Sequence, residues 1–453
     1  MDAVDQQMLE AIARRVRTGT LDSFLAQGQG CGWCRRPVRL RGAVVSNGGG
    51  GRRLAFTSGA LPDGVVLKAC GSRRETRCPA CATVYRDDAR HLVRAGLLGG
   101  KGVEESVALH PAVFLTLTAP SFGPVHSARD GQTCQPRTTG RCHHGRPVGC
   151  HVRHGYEDEI VGAPLCPDCY GYDGAVLHNA ATSELWRRTT IYVLRHLAAV
   201  LGITQKETRR RVRLSFCRVA ELQRRGLVHL HAVVRADHPD SELPDEKLPD
   251  VSADQLSLAC IRAARAVTVS HPLGVARWGG QLDVQVLDRE GDRARKVAAY
   301  VAKYATKSSD DVGALDRPIA SEADLAERDL SPHLRRMVTT AWRLGGDPGF
   351  AAFNLRQHAH TLGYGGHFLT KSRRYSTTFA ALRGARADWQ AARRRTDPLS
   401  SDRSELEAHW RPVGFGWANR GEAWFAGYQH RNRMDERRTA AEDRYSTTSD
   451  ACS

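Results

Sequence analysis

The sequence predicts an α+β protein. A central antiparallel sheet flanked by helices follows a cysteine-rich, zinc-ribbon-like region and is interrupted by a second cysteine-rich insertion. Three observations carry this prediction. Over residues 106–310, alternating strand-like runs and runs of helical period succeed one another as strand, helix, strand, strand, helix, strand, helix. Two of the strands are separated only by Gln223-Arg-Arg-Gly226, a hairpin turn, so they must pair antiparallel. Thirteen cysteines, several in Cys-x-x-Cys pairs, punctuate the chain.

The elements follow in order. Val4, Met8, Leu9, Ile12 and Val16 recur at helical spacing and make residues 1–20 a short amphipathic helix. Cys31-Gly-Trp-Cys34 and Cys78-Pro-Ala-Cys81, with a strand-like Val65-Val66-Leu67 between them, resemble the two knuckles of a zinc ribbon. Cys70 is a less well placed candidate. Phe114-Leu-Thr-Leu-Thr-Ala-Pro-Ser121 alternates apolar and hydroxyl residues and ends at a proline, as a half-buried strand does. Next come Cys134, Cys142, His143, His144, Cys150 and Cys166-Pro-Asp-Cys169, separated by short loops without strong periodicity. Metal staples would order such a segment without a core of its own. Its expected zinc ligands are Cys142, Cys150, Cys166 and Cys169, with His144 or Cys134 as substitutes.

Leu185, Ile191, Leu194 and Leu197 predict a helix over 183–209. Arg213–Glu221 and Leu227–Arg235 are the hairpin strands, and 237–252 is an acidic loop. A helix over 253–267, a strand Leu282–Leu287 and a helix Lys296–Lys307 complete the domain. Beyond it the chain is basic and mixed. Gly363–Tyr375 and a helix over Phe379–Arg395 stand out, and the charged tail beyond about residue 430 is expected to be disordered. The expected divisions are thus 1–105, 106–310 with an insertion at 124–182, and 311–453.

With 453 residues, there is room for two or three domains. No apolar run approaches the length of a membrane span, and Met1-Asp-Ala-Val-Asp5 lacks the pattern of a secretory signal, so the expectation is a soluble, cytoplasmic protein with no membrane partner. The net charge of +17, mostly arginine, points to a polyanionic partner, most simply nucleic acid; an arginine-rich coding bias is the alternative.

The chemistry concentrates in two segments. In Gly226-Leu-Val-His229-Leu-His231, the histidines are two apart on an apolar strand, so both imidazoles share one face. If Gln223–Gly226 makes the turn, Glu221 lies opposite His229 and points the same way. Two imidazoles and a carboxylate leave open positions on a divalent ion, which suits Lewis-acid chemistry at a phosphoryl group. Tyr300 and Tyr304, at i and i+4 beside Lys303, put two phenols on one helical face; an aromatic stripe packed on the sheet is the alternative. A phenol with an ordinary pKa of about 10 needs help to attack at neutral pH, and a nearby cation and a metal supply it. Lys307, Lys371, Arg373 and Arg374 are candidate phosphate contacts, with Phe368 or Tyr375 as base-stacking rings; the alternative is a solvated loop.

These residues resemble the HUH endonuclease superfamily of rolling-circle replication initiators. Phe114-Leu-Thr-Leu-Thr118 is similar to its first motif, His229-Leu-His231 to its metal-binding second and Tyr300-Val-Ala-Lys-Tyr304 to its two-tyrosine third. Over residues 30–395 the chain more closely resembles actinobacterial plasmid initiators of the RepSA type, through Leu165-Cys-Pro-Asp-Cys-Tyr170, Leu185-Trp-Arg-Arg188, Gln223–His231 and Gly366–Tyr375. The resemblance implies a five-stranded antiparallel sheet, Mg²⁺ or Mn²⁺ at His229, His231 and Glu221, and nicking of one strand of a plasmid double-strand origin that is single-stranded at the nick. It further implies a 5′-phosphotyrosyl intermediate, a 3′-hydroxyl primer, rejoining at termination, and a host helicase and polymerase as partners. A conjugative relaxase ranks next, but relaxases carry the nucleophile ahead of a three-histidine cluster. A transposase of the same chemistry has one tyrosine, and a non-catalytic zinc-ribbon regulator would lack the tyrosine pair.

Overall fold

A computed structural model describes residues 3–47, 52–128, 131–136, 138–239, 250–287, 292–307, 317–393 and 406–450. The helices and strands follow in chain order. First come α1 (Ala3–Arg17), α2 (Leu21–Gly30), β1 (Val38–Ser46), β2 (Arg53–Thr57), β3 (Val66–Lys68), α3 (Pro79–Leu98) and β4 (Ala112–Leu117). Then come α4 (Tyr172–Leu201), α5 (Gln205–Arg211), β5 (Arg213–Leu222), β6 (Val228–Asp237), α6 (Ala253–Ala266), β7 (Thr268–His271), β8 (Gly274–Arg277) and β9 (Leu282–Leu287). The chain continues through α7 (Asp292–Lys307), α8 (Glu322–Ala326), α9 (Pro332–Leu344), β10 (Leu369–Lys371), α10 (Phe379–Arg393), β11 (Leu406–Phe415) and α11 (Arg420–Asp450).

The chain divides into two compact units, one of residues 1–87 with 383–453 and one of residues 88–382. This differs from the three consecutive regions read from the sequence. In the first unit β11 pairs antiparallel with β1 along its whole length, from Val38↔Phe415 to Ser46↔Leu406. The C-terminal segment therefore completes the sheet that the N-terminal segment begins. Phe24, Trp33 and Trp417 form an aromatic core, with Trp33 stacked on Trp417 at 6.1 Å. Gly28 permits this packing, because a Cβ there would come 2.1 Å from the Trp33 ring. The buried Arg15 guanidinium bridges Asp63 at 2.7 Å and Glu422 at 2.8 Å. Where the sequence suggests a disordered tail, α11 runs to Asp450, through a stretch rich in the helix formers Ala, Glu and Arg.

The second unit is built on a five-stranded antiparallel sheet in the order β10-β5-β6-β4-β9. Alternation along the strands divides its faces. Val113, Leu115, Leu117, Ala220, Leu222, Val228, Leu230 and Val234 join the large core under α4, α6 and α9. Phe114, Thr116, Glu221, His229 and His231 occupy the alternate positions, on the face against which α7 lies. With both faces covered, β4 is buried almost throughout rather than half-buried. The predicted helix 183–209 begins earlier, at Tyr172, and ends at Leu201, where Gly202 takes the left-handed conformation (φ +66°) and caps it. A capping box of Ser252 and Gln255 opens α6. The β7–β8 hairpin and α9 are additions to the sequence reading.

Candidate metal and tyrosine centre

The hairpin register sets the candidate site. Glu221 pairs with His229 and Val219 with His231, as the turn at Gln223–Gly226 requires; Gly226 sits there at φ +74°. Asn179 of α4, fully buried, holds that turn. Its amide nitrogen donates to the Gly226 carbonyl (2.8 Å) and the Leu362 carbonyl (3.0 Å), and its oxygen accepts from the Val228 N–H (2.9 Å).

On the sheet face the His229 and His231 rings are 4.5 Å apart, and Glu221 comes within 3.6 Å of His231 Nε2. Thr116, paired with His231 across β4–β6, places its hydroxyl 3.2 Å from His231 Nδ1. That contact orients the ring and leaves Nε2 toward Glu221. Thr116 escaped the residue-by-residue reading; its signal is its place in the alternating Phe114–Thr118 strand. Burial, followed by the neighbouring His231, pushes the His229 pKa down to about 3, and burial pushes His231 to about 4. Both imidazoles are therefore neutral at pH 7, the form in which a nitrogen lone pair can bind a metal. His229 Nδ1 is buried and, among the described residues, has no hydrogen-bond partner. Two imidazoles and a carboxylate are donor types that a divalent ion takes, but among the described residues they do not close into a set within 4.8 Å as the cysteine clusters described below do.

Buried Ala294, Val297, Ala298, Val301 and Ala302 seat α7, and Tyr300 and Tyr304 flank that buried stripe, reaching the sheet with part of each ring while Lys303 is exposed. The Tyr300 and Tyr304 rings are 4.6 Å apart and lie 5.1 and 5.3 Å from the His231 ring. Phe114 stacks on His231 and meets Tyr300 edge-on. Tyr300 is 38% exposed. The Lys303 ammonium lies 5.8 Å from the Tyr304 ring centre. The expected lowering of a phenol by a neighbouring cation does not hold at Tyr300: burial, then the Tyr304 hydroxyl, push its pKa above the ordinary value.

The candidate DNA contacts separate. The Lys307 side chain lies outside the described residues. The Lys371 ammonium is turned onto its own chain, donating to the carbonyls of Ser372, Arg373 and Ser376. Leu369–Lys371 is an edge strand on β5, Phe368 is buried, and the fully buried Tyr375 donates its hydroxyl to the Val93 carbonyl. Neither ring is available to stack on a base. Arg373 and Arg374 are exposed.

The cysteines regroup as well. Cys34, Cys70, Cys78 and Cys81 close into one four-thiol cluster, with sulfur separations of 3.6–3.7 Å for Cys34–Cys78, Cys70–Cys81 and Cys34–Cys81. A tetrahedron with Zn–S bonds of ~2.3 Å has edges of about 3.8 Å. Cys70 thus takes the place expected for Cys31, whose thiol instead donates to the Gly28 carbonyl. Cys142, His144, Cys166 and Cys169 form a second cluster, with His144 in place of Cys150. Cys150 belongs to a third, with His126, Cys134 and His154. Sequence spacing cannot make these choices, because they depend on which loops fold back on which.

Among the described residues, no helix is long and apolar enough to cross a membrane. The family model described as "Replication initiator protein, pSAM2" (RepSA) matches residues 20–431. The replication initiator protein of Streptomyces ambofaciens is 40% identical over 406 residues, 85% of this chain and 84% of that one. No solved structure matches. A match across most of the chain, with a relative this similar over nearly the same length, places the protein in the RepSA family of replication initiator proteins.

Proposed function

We propose that the chain is an HUH-type, two-tyrosine endonuclease that starts rolling-circle plasmid replication by nicking one strand of the double-strand origin. The observation that carries the reading is the convergence of Tyr300 and Tyr304 on the His231 ring, from a helix distant in sequence. Mg²⁺ or Mn²⁺ held by His229, His231 and Glu221 would supply positive charge against the scissile phosphate as negative charge builds there.

The steps belong to the protein's own groups. A tyrosine phenol loses its proton and its oxygen attacks phosphorus. The P–O3′ bond breaks, and the departing 3′ oxygen takes up a proton. The products are a 5′-phosphotyrosyl ester and a 3′-hydroxyl primer. Because the ester conserves the energy of the phosphodiester, attack by a 3′-hydroxyl rejoins a strand without ATP. A second phenol on the same helical face performs a second transfer while the first is esterified. Exposed arginines, Arg373 and Arg374 among them, neutralise phosphates, and Lys303 supplies positive charge beside Tyr304. The Cys34/Cys70/Cys78/Cys81 and Cys142/His144/Cys166/Cys169 clusters hold structural zinc, being closed four-donor sets. The host supplies helicase and polymerase.

The test is a denaturing gel of the full chain with labelled single-stranded origin DNA and Mn²⁺. A slow band carrying label is expected from the wild type and absent from Tyr300→Phe/Tyr304→Phe and from His229→Ala/His231→Ala. The histidine variant is the cleaner metal control, because a chelator would also strip zinc. Tight DNA binding with no adduct at any origin sequence would instead mark a non-catalytic DNA-binding protein.

A further inference from the structure

The third cluster has no place in the proposed nicking chemistry, and its geometry is that of a metal site. His126 Nδ1 lies 3.2 Å from His154 Nε2, which lies 3.4 Å from Cys150 Sγ, and the Cys134 thiol completes a set within 4.8 Å. Tetrahedral zinc, with bonds of ~2.0–2.1 Å to nitrogen and ~2.3 Å to sulfur, needs N···N and N···S edges of about 3.3 and 3.5 Å. Supporting contacts are also present. His154 Nδ1 is 2.8 Å from Asp158 Oδ2, which directs Nε2 into the cluster, and the Ser127 N–H donates to Cys134 Sγ at 3.1 Å.

Among the described residues from 127 to 161, only Cys134 and Cys150 are buried, so this segment has no apolar core to order it. Its backbone is nevertheless pinned. His126 exchanges hydrogen bonds with Gly162 and Ala163, and Gln135 exchanges them with Cys150. The donors also alternate along the chain. His126 and Cys134 belong to the third cluster, Cys142 and His144 to the second, Cys150 and His154 to the third, and Cys166 and Cys169 to the second.

We infer that His126, Cys134, Cys150 and His154 form a further zinc site, which makes the insertion a cross-braced two-zinc module. The module is tied to the candidate nuclease hairpin. Asp158, the partner of His154, accepts at its backbone carbonyl from Arg224 Nη1 at 3.2 Å. Gly162, at φ +93°, lies so close to Arg224 that a Cβ would come 2.4 Å from the Arg224 carbonyl carbon. Arg224 is in the turn that joins the Glu221 and His229 strands, so the zinc site braces that turn from outside.

The experiment is native mass spectrometry of the full chain purified with zinc, in a His229→Ala/His231→Ala background so that those imidazoles hold none. Three zinc ions per chain are expected, one for each four-donor cluster. Two would overturn the inference. Cys134→Ser/Cys150→Ser should hold at most two and not regain the third when zinc is added; retention of three would equally overturn it. His154→Cys keeps the count at three and shifts the cobalt-substituted absorption toward more thiolate ligation, a readout that a misfolded variant cannot mimic. Asp158→Ala should weaken one of the three sites by about 10–100-fold in competition with a chromophoric chelator. None of these readouts depends on nicking, so this inference and the nuclease reading stand or fall separately.

Discussion

Replacing Asn179 by alanine should loosen the hairpin that carries His229 and His231. In the wild type three hydrogen bonds converge on this one amide, from or to Gly226, Leu362 and Val228. Truncation strands two carbonyls and one N–H in a site with no exposed surface. Each buried group left unpaired costs ~1–3 kcal/mol, and because the three share one partner the losses overlap, which gives about 4 kcal/mol in all. In hydrogen exchange, ~4 kcal/mol is about a thousandfold faster exchange for amides that open with the whole unit. The assay is mass-resolved exchange of peptides spanning β6, Val228–Asp237. Acceleration of less than about fivefold, roughly 1 kcal/mol, would refute the claim that Asn179 pins the turn. The isosteric Asn179→Asp adds a signed test. Its new oxygen faces two carbonyls, so its folded pKa must rise above the unfolded value of ~3.9. The variant's stability should then fall relative to wild type as pH rises above about 4 and recover under acid.

Three further outcomes follow. Thr116→Val, which removes the hydroxyl beside His231 Nδ1, should raise the Mn²⁺ needed for half-maximal adduct formation by about 10–100-fold, with Thr116→Ser restoring it. Cys70→Ser should cost the protein one zinc ion while Cys31→Ser keeps it; the opposite result would return Cys31 to the ligand set. His178 is buried, neither ring nitrogen has a partner among the described residues, and burial lowers its pKa to about 3. The unfolded chain therefore takes up a proton below about 6.5 that the folded chain refuses, so stability falls as pH drops. Between pH 6.5 and 5 this contribution is at most about 2 kcal/mol, and His178→Phe should remove it, reducing the slope of urea-denaturation stability against pH over that interval while the His229 and His231 contributions remain.

Local pattern was enough for the chemistry-bearing segments. A strand places residues two apart on one face and a helix places residues four apart on one face, so the histidine and tyrosine pairs are legible without any knowledge of the fold. The turn at Gln223–Gly226 likewise sets Glu221 opposite His229, as the register bears out. Glycine marked the hairpin turn because it acts on its own backbone. Non-local partnerships were beyond such reasoning. β11 pairs with β1 from the far end of the chain, and its sequence carries no mark of which edge it will join. Gly363–Tyr375 looks like a basic loop, yet β5 recruits Leu369–Lys371 as an edge strand, buries Phe368 and Tyr375, and turns Lys371 onto its own carbonyls. Cysteine spacing announces metal but does not pair knuckles. Cys70, not Cys31, joins Cys34, Cys78 and Cys81, and the two donor sets of the insertion interleave, because the folded loops decide which side chains come within a few ångströms of one another. Local spacing is enough to show which side chains share a face, because strand and helix periods are backbone properties; which faces meet depends on contacts between segments far apart in the chain.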